Sequence, residues 1–247
     1  MKILVCISHV PDTTSKINFT NADTEFDTNG VQFVINPNDE FGLTRAIWFQ
    51  EQQGAHITVV NVGGPETEPT LRKALAIGAD EAIRVNAVPV DGYFVANALA
   101  NVIQNGAYDL IIAGKESLDY NGGMVPGLLA GILDYSFVNS CIELTIDGNT
   151  AKAAREIDGG KEFLTASLPL IIGGQKGLVE EKDLRIPNMR GIMTARTKTL
   201  TVIEANASAQ SSSVQFEKPA AKSAVKLVAA DQLDELINLL HNEAKVI

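Results

Sequence analysis

Short apolar runs alternate with amphipathic segments over the first 135 residues, and this alternation predicts strands connected by helices. The runs predict strands at Ile3–Ile7, Ile57–Val62, Ala82–Val85 and Leu110–Ala113. Helical spacing of apolar residues predicts helices at Asp39–Gln53, Glu66–Ile77, Gly92–Gln104 and Gly123–Leu133. Gly54 is expected to end the first helix, because glycine readily adopts the left-handed conformation of a helix terminus. Strands joined by helices pair in parallel, so the pattern predicts an α/β fold with a doubly wound, mostly parallel sheet.

The pattern changes between about Val138 and Ile172, where polar and apolar residues alternate and antiparallel strands are expected. The predicted strands of this extension are Ile142–Ile146, Ala151–Ile157 and Phe163–Ser167. Residues 147–149 and 158–160 are aspartate- and glycine-rich turns of the kind that connect hairpins.

A second change follows Ile203 and divides the chain into a main domain, residues 1–203, and a C-terminal part, residues 204–247. Residues 205–222 are rich in alanine, serine and glutamine, which predicts an extended arm. Beyond the arm, Asp231 is expected to cap a helix whose apolar stripe is formed by Leu233, Leu236, Ile237 and Leu240. The stripe must be covered either by the main domain or by a partner subunit.

Composition and charge exclude several classes of function. The net charge is −10, which argues against nucleic acid as a partner, and no apolar run has the roughly 20 residues that a membrane span needs. The N-terminal residues lack the features of a signal peptide. The two cysteines lie in strand-like runs, which favours reduced thiols and a cytoplasmic location, or the mitochondrial matrix in a eukaryote.

The candidate binding elements are glycine-containing loops at the ends of predicted parallel strands, where open α/β sheets bind ligands. One loop follows Val62 with Gly63-Gly64-Pro65, and another runs from Gly114 to Gly123 before a helix. Glycines and helix N-termini suit phosphate groups, so these loops are the candidates for a nucleotide site. The three histidines belong to different predicted elements, so neither a metal site nor a catalytic triad is expected, and no pattern indicates an enzyme acting alone.

A longer motif carries more specific information. Residues 153–164 read AAREIDGGKEFL and are followed by Pro169-Leu170-Ile171-Ile172. This run resembles the signature of the electron transfer flavoprotein β subunit, and Gly173 occupies a position where the family more often has another small residue. Further similar blocks are Val10-Pro11-Asp12, Ile35-Asn36-Pro37, residues 74–80, residues 114–119 and Gly191-Ile192-Met193. The signature itself has a structural interpretation, a hairpin in which Arg155 pairs with Glu162.

The resemblance implies a heterodimer with an α subunit that holds most of the redox-active FAD, and an electron carrier that is not itself an enzyme. Its electron donors would be flavin dehydrogenases such as acyl-CoA dehydrogenases of fatty acid oxidation. Its acceptor would be a quinone reductase such as electron transfer flavoprotein–quinone oxidoreductase. The fold would be of the adenine-nucleotide-binding type, with AMP in this subunit, or a second FAD in electron-bifurcating members.

The resemblance also implies site residues. Cys6 and Gly63 match backbone contacts to the nucleotide, and Asn36 and Asp39 match a turn that lines the adenosine. The matching phosphate-loop residues are Gly114, Lys115, Asn121, Gly122, Gly123 and Met124. Met189 matches the apolar anchor of the loop that recognises partner dehydrogenases, where leucine is usual; a core position is the alternative.

The sequence departs from the family at two places in the expected nucleotide region. Asn121-Gly122-Gly123-Met124 replaces a run that usually carries hydroxyl and amide donors. The sequence therefore does not decide whether this subunit binds AMP, and it argues against a second FAD in this site. Thr13 follows Asp12 where some members have a tyrosine that contacts the flavin. Two alternatives remain: a subunit of a bifurcating flavoprotein that oxidises NADH, and an ATP-binding module of the universal-stress type without a redox partner.

Overall fold

The computed structural model describes residues 1–222 and 224–247 and has a nine-stranded sheet as its centre. Two further pairs of short strands lie outside that sheet. In chain order the strands are β1 Lys2–Cys6, β2 His9–Pro11, β3 Phe19–Thr20, β4 Glu25–Phe26, β5 Phe33–Ile35, β6 His56–Val62, β7 Glu81–Asn86, β8 Leu110–Gly114, β9 Ser136–Asp147, β10 Thr150–Ile157, β11 Gly160–Ser167, β12 Leu170–Gly174 and β13 Leu200–Glu204. The helices are α1 Pro37–Gln53, α2 Glu68–Ile77, α3 Gly92–Gly106, α4 Val125–Leu133, α5 Met189–Ala195 and α6 Leu233–Asn238, which continues as a π-helical segment, Leu239–Ala244.

The predicted strand and helix pattern of the first 135 residues is confirmed, with shifts of a few residues at the boundaries. Gly54 ends α1 as expected, with φ 66° and its N–H on the Gln50 carbonyl. A short 3₁₀ turn, Pro65–Thr67, precedes α2, so that helix begins two residues later than predicted.

Helices cover both faces of the sheet, and alternate residues of the central strand β1 enter two separate cores. Ile3 and Val5 pack in the core that includes Leu43 of α1 and Leu71 of α2. Leu4 and Cys6 pack in the opposite core, with α3 and α4. The fold is therefore the doubly wound α/β architecture that the sequence predicts.

The strand order places a topological switch point beside β1. The order is β11-β10-β9-β12-β8-β1-β6-β7-β13, so the chain moves from β1 to β6 and β7 on one side and then crosses to β8 on the other. β1 is parallel to both of its neighbours. Because the helices that follow β1 and β8 lie on opposite faces, a crevice is expected at the carboxyl ends of these two strands.

The antiparallel extension is confirmed for β9, β10 and β11, which form two hairpins with tight turns at Gly148 and Gly159. Arg155 and Glu162 are cross-strand partners, and Arg155 Nε lies 2.5 Å from Glu162 Oε2, as the signature suggested. The prediction is wrong for the last part of this region, because β12 is parallel to both β8 and β9. Leu170, Ile171 and Ile172 form an unbroken buried run, which is typical of a parallel strand covered on both faces.

The C-terminal part continues from β13, an edge strand that the sequence analysis did not predict and that pairs in parallel with β7. The terminal helix is confirmed, but Asp231 does not cap it: Gln232 occupies the N-cap position and no side chain bonds to the helix N-terminus there. Three residues of the predicted stripe are exposed: Leu233 by 63%, Leu236 by 40% and Ile237 by 56%. Across both described ranges, no helix is long and apolar enough to cross a membrane.

Candidate functional site at the switch point

Asp39 is the central polar residue at the carboxyl ends of β1 and β8. Its side chain is 2% exposed and accepts three N–H groups: Ser8 N at 2.7 Å, Gly114 N at 2.9 Å and Asn36 Nδ2 at 3.1 Å. Ser8 follows β1 and Gly114 ends β8, so one carboxylate joins the two strand ends across the switch point. Burial raises the pKa of Asp39 to about 7, although the hydrogen bonds from Ser8, Asn36 and Gly114 act in the opposite direction.

Asn36 and Asn38 hold the start of the Gly114–Met124 loop. Asn36 is fully buried, and its Nδ2 donates to the carbonyl of Glu116 at 2.9 Å. Asn38 Nδ2 donates to the same carbonyl at 3.2 Å, while Asn36 Oδ1 accepts Leu118 N at 3.3 Å. The Asn-Pro turn before α1 therefore fixes the loop by side-chain bonds to its backbone.

Gly114, the last residue of β8, lies against this turn. A Cβ at this position would collide with Asp39 Oδ1 and approach Asn38 Cβ to 2.9 Å. Any larger residue would therefore displace the carboxylate that joins the strand ends.

The rest of the loop forms a small closed turn. The backbones of Ser117 and Gly122 exchange two hydrogen bonds, of 3.1 and 3.2 Å, and Asn121 has a left-handed φ of 52°. Both backbone groups of Gly122 are thus used within the loop. Tyr120, which lies at its tip, is 66% exposed.

Donors that suit an anion lie at the end of the loop and the beginning of α4. The backbone N–H groups of Gly123, Met124 and Val125 bond to no other residue in the described part of the chain. Lys115 contributes an ammonium group on a side chain that is one-third exposed, and the backbone of Lys115 adjoins Gly123. Free N–H groups at a helix N-terminus together with a lysine are a suitable arrangement for a phosphate. The residues present therefore fit a nucleotide phosphate, even though Gly122 and Met124 supply no polar side chain.

Two side-chain amides at the same edge have polar atoms without a partner among the described residues. They are Asn139 Oδ1 and Gln175 Oε1, and both atoms are buried. Asn139 lies at an irregularity of β9 opposite Gly173, next to Ser140 with its left-handed φ of 50°. Neither residue was predicted from the sequence. For Asn139 the available signal was an asparagine followed by a serine within an otherwise apolar run.

Comparison with known proteins identifies the family. The sequence profile of the electron transfer flavoprotein domain matches residues 23–208. The electron transfer flavoprotein subunit beta of Bacillus subtilis is 34% identical over 262 aligned residues that cover 100% of both chains. This chain belongs to the electron transfer flavoprotein β-subunit family. The subunits beta of Syntrophomonas wolfei, 35% identical over 91% of this chain and 88% of its own, and of Homo sapiens, 30% identical over 83% and 81%, agree with this assignment.

The site residues inferred from the flavoprotein resemblance fall into three places. Asn36, Asp39 and the Gly114–Met124 loop come together at the switch point. Cys6 ends β1 nearby and is buried, and burial raises the pKa of its thiol far above the usual range, with a further contribution from Asp39. Gly63 lies after β6, on the other side of β1, where its N–H and carbonyl are already bonded to Val85 and Arg84.

The third place is the segment that the flavoprotein resemblance links to partner recognition. Met189 begins α5, is 75% exposed and lies among other exposed apolar side chains, which excludes the alternative of a core position. We define the α5 apolar surface as the exposed side chains of Ile186, Met189, Ile192 and Met193. Asn188 fixes the start of α5 by accepting Gly191 N at 2.8 Å.

The histidines are dispersed, as the sequence predicted. His9 stacks on Phe33 and lies 2.7 Å from Thr70 Oγ1, and burial lowers its pKa. His56 lies near Asp80 and Glu81 at the opposite end of the sheet, and His241 is in the terminal segment. No cluster of metal-ligating side chains occurs within residues 1–222 and 224–247.

Proposed function

We propose that this chain is the β subunit of a heterodimeric electron transfer flavoprotein, which passes electrons between proteins and catalyses no bond chemistry of its own. Full-length similarity to named β subunits is the observation that carries the proposal. A flavin held mainly by an α partner would supply the redox chemistry. The electron donors would be flavin dehydrogenases such as acyl-CoA dehydrogenases, and the acceptor a quinone reductase or a protein of similar role.

The switch-point site is proposed to bind AMP. The free N–H groups of Gly123, Met124 and Val125 would hold the phosphate, with Lys115 as a counter-charge. Asn36 and Asp39 would act through the loop, because both are buried and already bonded to its backbone. Their role is therefore to position the donors.

Residues 204–247 comprise an arm, which contacts the main domain, and the terminal helix α6, which is proposed to pack on the α partner. The exposed face of Leu233, Leu236 and Ile237 supports this assignment, since an apolar helix face needs a cover. The sequence left two surfaces on which the stripe could be buried, the main domain and a partner subunit. Because the stripe is exposed in this chain, the partner subunit is favoured.

The test is the composition of the complex after co-expression with the α partner. We expect a yellow complex of one subunit each, with one FAD and one AMP released by heat and counted per complex. The chain expressed alone should be colourless. Failure to bind an α partner, or a yellow isolated chain, would contradict the electron-carrier assignment; two FAD per complex would indicate the bifurcating type instead.

The α5 apolar surface is proposed to contact the partner dehydrogenases, with Met189 as its anchor. Met189→Ala should lower kcat/KM for reduction of the complex by an acyl-CoA dehydrogenase about tenfold, because an exposed anchor contributes mainly at the interface. FAD content and the melting temperature should not change. The measurement is steady-state reduction at varied concentrations of the complex.

Val88→Ala is the matched control, since Val88 is 76% exposed in the segment between β7 and α3. It should leave kcat/KM unchanged. Equal effects of the two substitutions would remove the special role of Met189.

A further inference from the structure

The C-terminal arm returns across the main domain before it reaches the terminal helix. Asn101 Nδ2 of α3 donates to the carbonyl of Asn206 at 2.8 Å. Asp91, which caps α3 by accepting Phe94 N at 2.7 Å, also accepts Gln210 N at 2.8 Å and Ser211 N at 2.6 Å. The arm is thus attached to the beginning of α3 by charge-assisted hydrogen bonds.

Beyond this attachment, one residue of the arm, Phe216, packs against aromatic side chains of the main domain. In the described stretch 208–222 every residue is exposed except Phe216, which is half-buried. Its ring stacks on Phe19 of β3, with centroids 5.0 Å apart and planes 10° from parallel. Its backbone N–H donates to the carbonyl of Asp23 at 2.7 Å, in the hairpin between β3 and β4.

The Phe216 ring also lies near the Gly114–Met124 loop. The Tyr120 ring is 6.5 Å from the Phe216 ring, with the planes tilted by 34°, which is a normal geometry for an aromatic pair. Lys218 Nζ also bonds to Asn18 Oδ1 at 2.9 Å and holds the next part of the arm against the same hairpin. Three aromatic side chains from distant parts of the sequence therefore meet over the tip of the loop.

We infer that Phe216 is a positioning residue that closes the Gly114–Met124 loop, so that a nucleotide leaves this site only when the arm releases Tyr120. The inference rests on the proposed function in that it takes the loop to be the nucleotide site. The loop tip depends on few other contacts: the Ser117–Gly122 pair closes it internally, and the Asn36 side chain holds it at Leu118. Loss of the aromatic contact therefore frees the tip.

The arm also connects this site to the partner subunit. The arm that carries Phe216 leads into α6, whose apolar residues are exposed. Binding of the arm by the α partner would restrict the movement of Phe216 and would slow nucleotide exchange in the complex.

The test compares Phe216→Ala with the natural chain in the purified complex. Hydrogen exchange of the Ser117 and Gly122 amides, followed by mass spectrometry, should become about tenfold faster, which corresponds to about 1.4 kcal/mol. Loss of bound AMP after gel filtration should accelerate by a similar factor. Phe216→Tyr, which keeps the ring, should restore both rates.

Val214→Ala is the matched control, because Val214 lies two residues away in the same arm and is 82% exposed. It should change neither rate. Unchanged amide exchange in Phe216→Ala, or equal acceleration in Val214→Ala, would overturn the inference.

The proposal that the site binds AMP and the proposal that Phe216 closes the loop can each be contradicted without the other. A complex that contains no AMP would contradict the assigned nucleotide, while amide exchange would still report whether Phe216 holds the loop. Conversely, a complex that retains AMP equally well in all variants would leave the nucleotide assignment intact and remove the role of Phe216.

Discussion

Asp39→Asn should lower the free energy of unfolding by about 3 kcal/mol at pH 5 and loosen the Gly114–Met124 loop. Both oxygens of Asp39 accept backbone N–H groups, from Ser8 at 2.7 Å and from Gly114 at 2.9 Å. Protonated Asp39, the form that burial favours at pH 5, still has two oxygens with free lone pairs. An asparagine has one oxygen, so its NH₂ group would face one of these donors and leave it without an acceptor. A buried donor without an acceptor costs about 1–3 kcal/mol, and the lost bond adds to this cost. Urea unfolding followed by circular dichroism measures the difference.

The deficit in unfolding free energy of the Asp39→Asn variant, relative to the natural chain, should become smaller as the pH rises. The pKa of Asp39 is raised from 3.8 to about 7 by burial, so between these values the folded chain keeps a proton that the unfolded chain releases. The stability that Asp39 contributes is therefore present below about pH 4 and falls as the pH rises to about 7, by on the order of 4 kcal/mol at 1.36 kcal/mol per pKa unit. Asparagine does not titrate, so the deficit should be larger at pH 5 than at pH 8.

Asp147→Asn is the control, because Asp147 is exposed at the end of β9, next to the turn at Gly148. Its unfolding free energy should stay within about 0.5 kcal/mol of the natural chain. A deficit for Asp39→Asn that is the same at pH 5 and pH 8 would contradict the assigned protonation.

The double substitution Leu236→Asp and Ile237→Asp should weaken association with the α partner about 100-fold and leave the isolated chain as stable as before. Both side chains are substantially exposed, so the isolated chain gains little from them. In the proposed complex they would be buried, and each apolar side chain is worth about 1.5–3 kcal/mol. A loss of about 3 kcal/mol corresponds to a factor of about 100 in Kd, which titration of labelled α subunit would measure.

Glu235→Gln is the matched control on the same helix, since Glu235 lies between the stripe residues Leu233 and Leu236 without belonging to the stripe. It should leave Kd unchanged. Unaltered affinity in the double variant would show that another surface holds the partner, whereas a lower melting temperature of the isolated chain would place α6 against its own domain.

The fold was predictable where the apolar pattern had one interpretation. Strands β1, β6, β7 and β8 are short buried runs between amphipathic helices, and this combination has few alternatives. The parallel pairing of Leu170–Gly174 was missed because an apolar run shows burial and does not show direction. The edge strand Leu200–Glu204 was missed because partly exposed residues and an adjoining polar arm weaken the strand signal.

The candidate site was predictable in location but not in the roles of its residues. Parallel strands end at one edge, so the glycines of the Gly114–Met124 loop were expected there. The roles of Asn36 and Asp39 depend on bonds to residues about 80 positions away, such as Glu116 and Gly114, and no local pattern contains that information. The same holds for Phe216, whose contacts with Phe19 and Tyr120 join three distant segments.

The position of Phe216 in the chain has a consequence for biosynthesis. Phe216 follows Met124 by 92 residues, so the ribosome makes the whole Gly114–Met124 loop well before the residue that closes it. At about 5–20 residues per second this interval is about 5–18 s, far longer than the folding of local helices and loops. The nascent chain thus presents an open site first, and we expect nucleotide loading to be easiest during synthesis, before the arm emerges.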